Sequence, residues 1–296
     1  GLSWYAVKLG EHYGLYDYGS ELAATALKLV QEHSYDVTLT STLVACDQMF
    51  GWTHPIDHAL RHARRAQERG AIGGDIGMSC YAWKHVTCGL LFRGGNLAAA
   101  AEEIDRGIAF VRSYGFSDIE RILQAQAYYC ETLMKGISAT SPSVRASFDS
   151  ALPGTQSAPS GLVAAMTAIY EGMCALAFGD PAQARKIYRD NALNARGLRG
   201  HIAHTEYQLW YCLAQCTDPS PAPEIVRELE EIRARFAHLS EINPTTFKHK
   251  HMLIEGSLAL RQGQDLLAIS YFDQAAINAG AGGFIHEKAL AHEFLA

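Results

Sequence analysis

Three glycines at equal steps constrain this chain most. Gly95, Gly179 and Gly263 stand 84 residues apart in each step, with Ala100, Ala184, Ala268 and then Ile104, Tyr188, Phe272 in the same register. In the later pair the register extends to Glu171-Gly172 against Glu255-Gly256 and to Ala175 against Ala259. Small residues on two helical stretches with a glycine between them describe a hairpin whose helices touch closely. Such a hairpin carries apolar surface on both sides and cannot bury both alone, so it needs neighbours stacked before and after it. Ala59, Ala63 and Ala66 repeat the seam ahead of Ala100, which makes half the spacing, about 42 residues, the unit. The pattern predicts an all-α, tetratricopeptide-like α-solenoid: about seven antiparallel hairpins in a right-handed superhelix, one repeat domain over residues 1–296.

Asn243 to Ala296 states the unit most fully. Gly256 and Ala259 on its first helix face Ala268 and Ala275 on its second, Gly263 turns between them, and Phe272 fills the seam. Upstream, Ser3–Tyr13 and Ser20–His33 read as helices joined by a tyrosine-rich turn, Tyr16-Asp17-Tyr18-Gly19. Pro55 opens the helix that Gly70 should stop. Asp75–Phe92 pairs with Leu97–Tyr114, and Asp118–Lys135 follows. Residues 137–161 are rich in Ser, Ala, Pro and Gly and read as an irregular repeat or loop, with only Val144–Leu152 able to form a short helix. Leu162–Phe178 with Pro181–Ala195, then His201–Cys216 with Glu224–His238, restore the pattern. The proline-rich turn between the last two should be exposed and stiff.

Composition narrows the functions open to such an array. With 48% hydrophobic residues there is material for a continuous core, and a formal charge of −6 gives no general attraction to phosphate backbones, so nucleic acid is not an expected partner. No apolar run reaches the roughly 20 residues of a membrane span, so a cytoplasmic location without a membrane partner is the expectation. Cys46, Cys80, Cys88, Cys130, Cys174, Cys212 and Cys216 are scattered and odd in number, which suits buried thiols better than a disulfide framework. Gly1 at the start and a helical pattern running into Ala296 suggest a segment of a longer protein.

The last fifty or so residues carry a family resemblance. His249-Lys250, Glu255, Ala259, Gly263, Ala268, Tyr271, Ala275-Ala276 and the run Phe284-Ile285-His286-Glu287-Lys288-Ala289-Leu290-Ala291 with Glu293 resemble the end of the helical-repeat region of large signalling kinases. Those proteins join a protein-kinase-like domain, a nucleotide-binding ATPase, tetratricopeptide-like repeats, a GAF sensor and a histidine kinase. A fainter echo, His54-Pro55, Tyr81-Ala82 and Gly95-Asn96-Leu97, extends it upstream. The resemblance implies an adapter or sensory solenoid inside a histidine or serine/threonine kinase. It implies no catalytic residue here, because the catalytic motifs of such proteins lie outside this region.

The residues themselves offer little chemistry. The chain has no GxxxxGK[ST], HRD, DFG or GxSxG motif. His54, His58 and His62 recur every four residues, so His58 and His62 could grip a metal from one helix face, yet no third or fourth ligand follows; a solvated face beside the alanine seam is the competing reading. Cys212 and Cys216 with His204 read as core thiols, and His286-Glu287 lacks the second histidine at zincin spacing. No cofactor or metal is expected. Aromatic and polar residues cluster on the first helices of the hairpins, which line the concave groove in tetratricopeptide arrays. Tyr81, Trp83, Lys84, His85, Tyr129, Tyr207 and Trp210 are therefore candidate groove contacts, against the alternative that they pack between repeats.

Two functions from different classes follow. The first is a non-catalytic scaffold for protein–protein or interdomain interaction and signal transmission, whose partner is another protein or the neighbouring domains of the same chain. The second is a ligand-sensing solenoid that takes a small molecule or peptide in its groove. An enclosing aromatic and charged pocket favours sensing, and a broad open groove favours docking.

Overall fold

The computed structural model describes residues 1–136 and 160–296, and among these the regular structure is helical throughout. The first half runs α1 Leu2–Tyr13, α2 Tyr16–Glu32, α3 Asp36–Thr53, α4 Ile56–Gly73, α5 Ile76–Arg93, α6 Leu97–Ser113 and α7 Ser117–Lys135. The second runs α8 Gly161–Ala177, α9 Pro181–Asp190, α10 Ala192–Ala195, a 3-10 turn Arg196–Leu198, α11 Ala203–Cys216, α12 Pro223–Ile242, α13 Pro244–Arg261, α14 Asp265–Gly282 and α15 Ile285–Leu295. Sequential helices pack as hairpins, and the first helix of each also packs on the first helix of the next, in the series α1, α3, α5, α7, α8, α11, α13 and α15. This is the α-solenoid the repeat demands. The expected irregular repeat at 137–161, with its short helix Val144–Leu152, lies outside the described residues except at its end, where the Ser160 hydroxyl accepts the Val163 N–H and caps α8.

The register survives in the turns. First helices end at Arg93, Ala177 and Arg261, and second helices start at Leu97, Pro181 and Asp265, each series in steps of 84. Asn96 and Asp180 cap their helices by accepting the N–H of Ala99 and Gln183. One repeat column shifts. The left-handed residues are Gly94, Gly179 and Gly263, with φ of 71°, 76° and 71°, so Gly95 is an ordinary turn residue and its neighbour takes the conformation that disfavours a Cβ.

Three local expectations need correcting. Tyr16 to Gly19 is the first turn of α2, not a loop. Gly19 sits inside that helix because a Cβ there would come within 2.9 Å of the Ala6 carbonyl and 2.8 Å of the Met49 sulfur. Gly70 does not stop α4, which continues to Gly73; it is glycine because Ser79 and Thr40 crowd it at 2.8 and 2.9 Å. Pro181 to Ala195 is two helices, broken at Asn191, whose side chain turns back to the Ile187 carbonyl.

The seams explain the repeated small residues. Ala100, Ala184 and Ala268 are buried, and Ile104, Tyr188 and Phe272 are fully so. Where the second helix carries an aromatic, the first carries glycine: a Cβ on Gly256 would stand 2.5 Å from the Phe272 ring, and one on Gly172 would collide with Tyr188. Bulk on one helix fills the space left on the other, as close packing requires.

The array then closes on itself. Trp52 at the end of α3 stacks on Phe247 of α13 with ring centroids 6.2 Å apart, and the Arg235 guanidinium of α12 lies 5.6 Å above the Trp52 ring. The Asn243 amide donates to the His54 carbonyl at 2.7 Å, and the Gln48 amide donates to the Gly200 carbonyl at 2.6 Å. Arg93 reaches Gly283, and His286 covers Gly94. Two first helices are enclosed over long stretches, α5 from Ala82 to Gly89 and α11 from Leu209 to Gln215 without a break. The face that lines a groove in an open solenoid is here the interior.

Candidate functional site

Closure decides where the candidate contacts go. Tyr81 is exposed, while Trp83, Lys84, His85, Tyr129, Tyr207 and Trp210 are all buried. Trp83 packs on Phe110 and against Gly107, Tyr129 on Tyr170, and Tyr207 sits edge-on to Tyr188 and donates its hydroxyl to the Tyr188 carbonyl. These aromatics pack within and between repeats. What the interior brings together is polar, in two groups.

The first group joins α3, α5 and the segment before α11. The Asp47 carboxyl and the His85 Nδ1 share a hydrogen bond of 2.6 Å, and the His85 ring meets His201 edge-on at 4.6 Å. His201 is fixed by the Ala203 N–H, which its Nδ1 accepts at 3.0 Å. Burial raises the Asp47 carboxyl to about 8, against the pull of Lys84, and burial with the same lysine pushes His85 and His201 well below the usual imidazole range. Asp47 and His85 therefore form a neutral pair around one proton. Asp47, Gln48, His85, Cys88 and His201 border a cavity with about 20 Å³ for the centre of a water-sized molecule, room for one water and too little for a metabolite. One turn on, the Cys88 sulfur accepts from the Gln126 amide at 3.1 Å and the Tyr170 hydroxyl at 3.6 Å.

The second group ties three first helices into one knot. Lys250 of α13 bridges Glu206 of α11, at 2.8 Å, and Glu287 of α15, whose other oxygen takes the His249 Nε2–H. Glu287 and His249 are wholly inaccessible, and Glu206 and Lys250 nearly so. The His249 ring lies tilted against Phe284 with centroids 4.3 Å apart, and the Lys250 ammonium is 5.4 Å from the Phe284 ring. Burial alone would raise Glu287, but Lys250 and His249 overcome it and hold the carboxyl well below the ordinary range. Burial would likewise strip Lys250, and the two glutamates keep it charged. At Glu206 burial, with the charge of Glu287 adding to it, outweighs the pull of Lys250 and lifts the carboxyl to about 7. The residues that carried the family resemblance, His249, Lys250, Phe284, His286 and Glu287, are thus one structural unit. No spacing in the sequence marks the meeting of Glu206, Lys250 and Glu287.

On the outside, Phe50 gathers the three histidines: its ring lies 5.2 Å from His54, 5.2 Å from His58 and 4.9 Å from His62. Among the described residues no group of three or more His, Cys, Asp or Glu is arranged to hold a metal ion. All seven cysteines are free, and only Cys216 is partly exposed. Among the described residues no helix is long and apolar enough to cross a membrane. The outer face of α14 exposes a row of apolar side chains, with Leu266 at 86%, Ile277 at 64% and Ile269 at 51% exposure, and Ile285 at the start of α15 is exposed as well. No family model matches the chain, and no curated protein matches it.

Proposed function

We propose that this chain is a non-catalytic helical-repeat module that transmits a signal between a protein partner, or neighbouring domains of a longer chain, and the interior of the array. The single observation that carries this reading is the knot at Lys250. The last helix contributes Glu287 to a buried ion cluster whose other members stand on α11 and α13. A displacement of α15 withdraws Glu287 from Lys250 and His249, both buried on α13, so motion at that end costs free energy at the centre. The apolar outer face of α14, beside α15, supports a docking surface at the same end.

A ligand-sensing solenoid is the weaker reading, because the interior is filled by the chain's own side chains and the cavity beside His85 and His201 admits one water. The test is amide hydrogen exchange on the parent and on Glu287→Gln. Transmission requires faster exchange in α11 and α13 as well as in α15. Loosening confined to α15 overturns it. A metabolite that stabilises the parent and fails on Asp47→Asn or Trp210→Phe would move the assignment to ligand sensing.

A further inference from the structure

Two histidines of α4 are arranged for a ligand that the interaction reading does not use. His58 and His62 are one helical turn apart on one face, and their Nε2 atoms stand 3.4 Å from each other. Two zinc–imidazole bonds of about 2.0–2.1 Å meeting at the tetrahedral angle span about 3.4 Å. The spacing is therefore already that of a chelate. Phe50 backs both rings and limits their rotation.

The hydrogen bonds say which lone pairs are free. The Arg61 guanidinium donates to the His58 Nδ1 at 3.0 Å, which leaves the His58 proton on Nε2, where it points at His62. The Nε2 of His62 accepts it, so its lone pair already faces the gap; its Nδ1 is buried without a hydrogen-bond partner. With Nδ1 of His58 accepting from Arg61 and Nε2 of His62 accepting from His58, each ring carries a single proton in this geometry.

We propose that His58 and His62 chelate one zinc ion through their Nε2 atoms, with solvent or a partner's side chain completing a tetrahedral shell. Binding moves the His58 proton from Nε2 to Nδ1 through solvent, and Arg61, now facing an N–H, swings away. The proton stays on the same ring, so uptake at neutral pH releases none. The site would staple the first two turns of α4 to each other, stiffening the start of that helix when zinc is bound.

Isothermal titration of the intact chain with zinc, in two buffers of different ionisation enthalpy, tests this. The expected result is one saturable site per chain with the same heat in both buffers. Affinity should fall at least tenfold in His58→Gln and in His62→Gln and rise several-fold in Arg61→Gln, which removes a competing donor and a positive charge. Should either histidine variant melt early, the Arg61 variant and the nitrogen chemical shifts of His58, which report its change of tautomer on zinc addition, keep the test decisive. Undiminished uptake in His58→Gln/His62→Gln, or an unchanged His58 tautomer at saturation, overturns the proposal.

Discussion

Lys250 is the residue on which most depends. Replacing it with methionine leaves Glu206 and Glu287 buried without their cation, and breaking such a pair costs about 3–5 kcal/mol. Glu206→Gln should cost far less, about 1 kcal/mol, because this carboxyl, lifted to about 7, already holds a proton part of the time and the amide keeps an acceptor for Lys250. Urea unfolding of the two variants at pH 7 checks the contrast; equal losses would mean the cluster does not discriminate its two glutamates. Ionisation also sets the pH profile. Burial holds His62 and His286 at about 4 and His204 at about 3, while in the unfolded chain each titrates near 6.5. Between those values the unfolded chain binds more protons, so the stability these rings contribute is full above about pH 6.5 and is lost as pH falls toward 4. Asp47 runs the other way. Its carboxyl rises from an ordinary 3.8 to about 8, so its contribution declines as pH climbs through that window. Thermal melts should show Asp47→Asn gaining on the parent from pH 5 to pH 8, and His286→Gln losing less than the parent from pH 6.5 to pH 4.5; a constant offset in either series contradicts the assigned ionisation.

At the scale of helices and hairpins, complementarity of bulk specifies the pairing. Gly256→Ala drives a Cβ to 2.5 Å from the Phe272 ring and should cost about 1–3 kcal/mol, whereas Gly95→Ala, open on all sides with an ordinary φ, should change stability by less than about 0.5 kcal/mol. A single round of thermal unfolding separates them. This contrast also marks what could be read from the chain in advance. The steps from Gly179 to Gly263 and from Tyr188 to Phe272 gave the hairpins, their seams and their helix boundaries, because contacts within and between adjacent repeats are local and recur. Gly19 and Gly70 misled for a physical reason: glycine is also chosen where another helix presses close, and sequence position does not distinguish that use from a stop. All seven candidate groove residues stand on first helices, and six of them are buried, which the sequence does not announce because contacts such as Asn243 to His54 span most of the chain. The knot at Lys250 was legible only as residues of a resemblance; the meeting of Glu206, Lys250 and Glu287 is set by the stacking of three first helices and leaves no spacing rule behind.

For the whole molecule, closure is the property from which the rest follows. An open superhelix would expose Lys84, His85, Glu206 and Lys250 on its concave face, where each could be solvated. Closed, His85 pairs with Asp47, while Glu206 and Lys250 join Glu287 in the knot. Contacts such as Trp52 on Phe247 and Gln48 on Gly200 hold the second hairpin against the second half of the array. Small-angle X-ray scattering of the purified chain is the most direct test. Closure predicts the scattering of a compact body, with a radius of gyration of about 19 Å for a chain of this length. The scattering of an elongated, curved rod with a radius well above that would contradict it, and would return Lys84, His85 and Trp210 to an open groove.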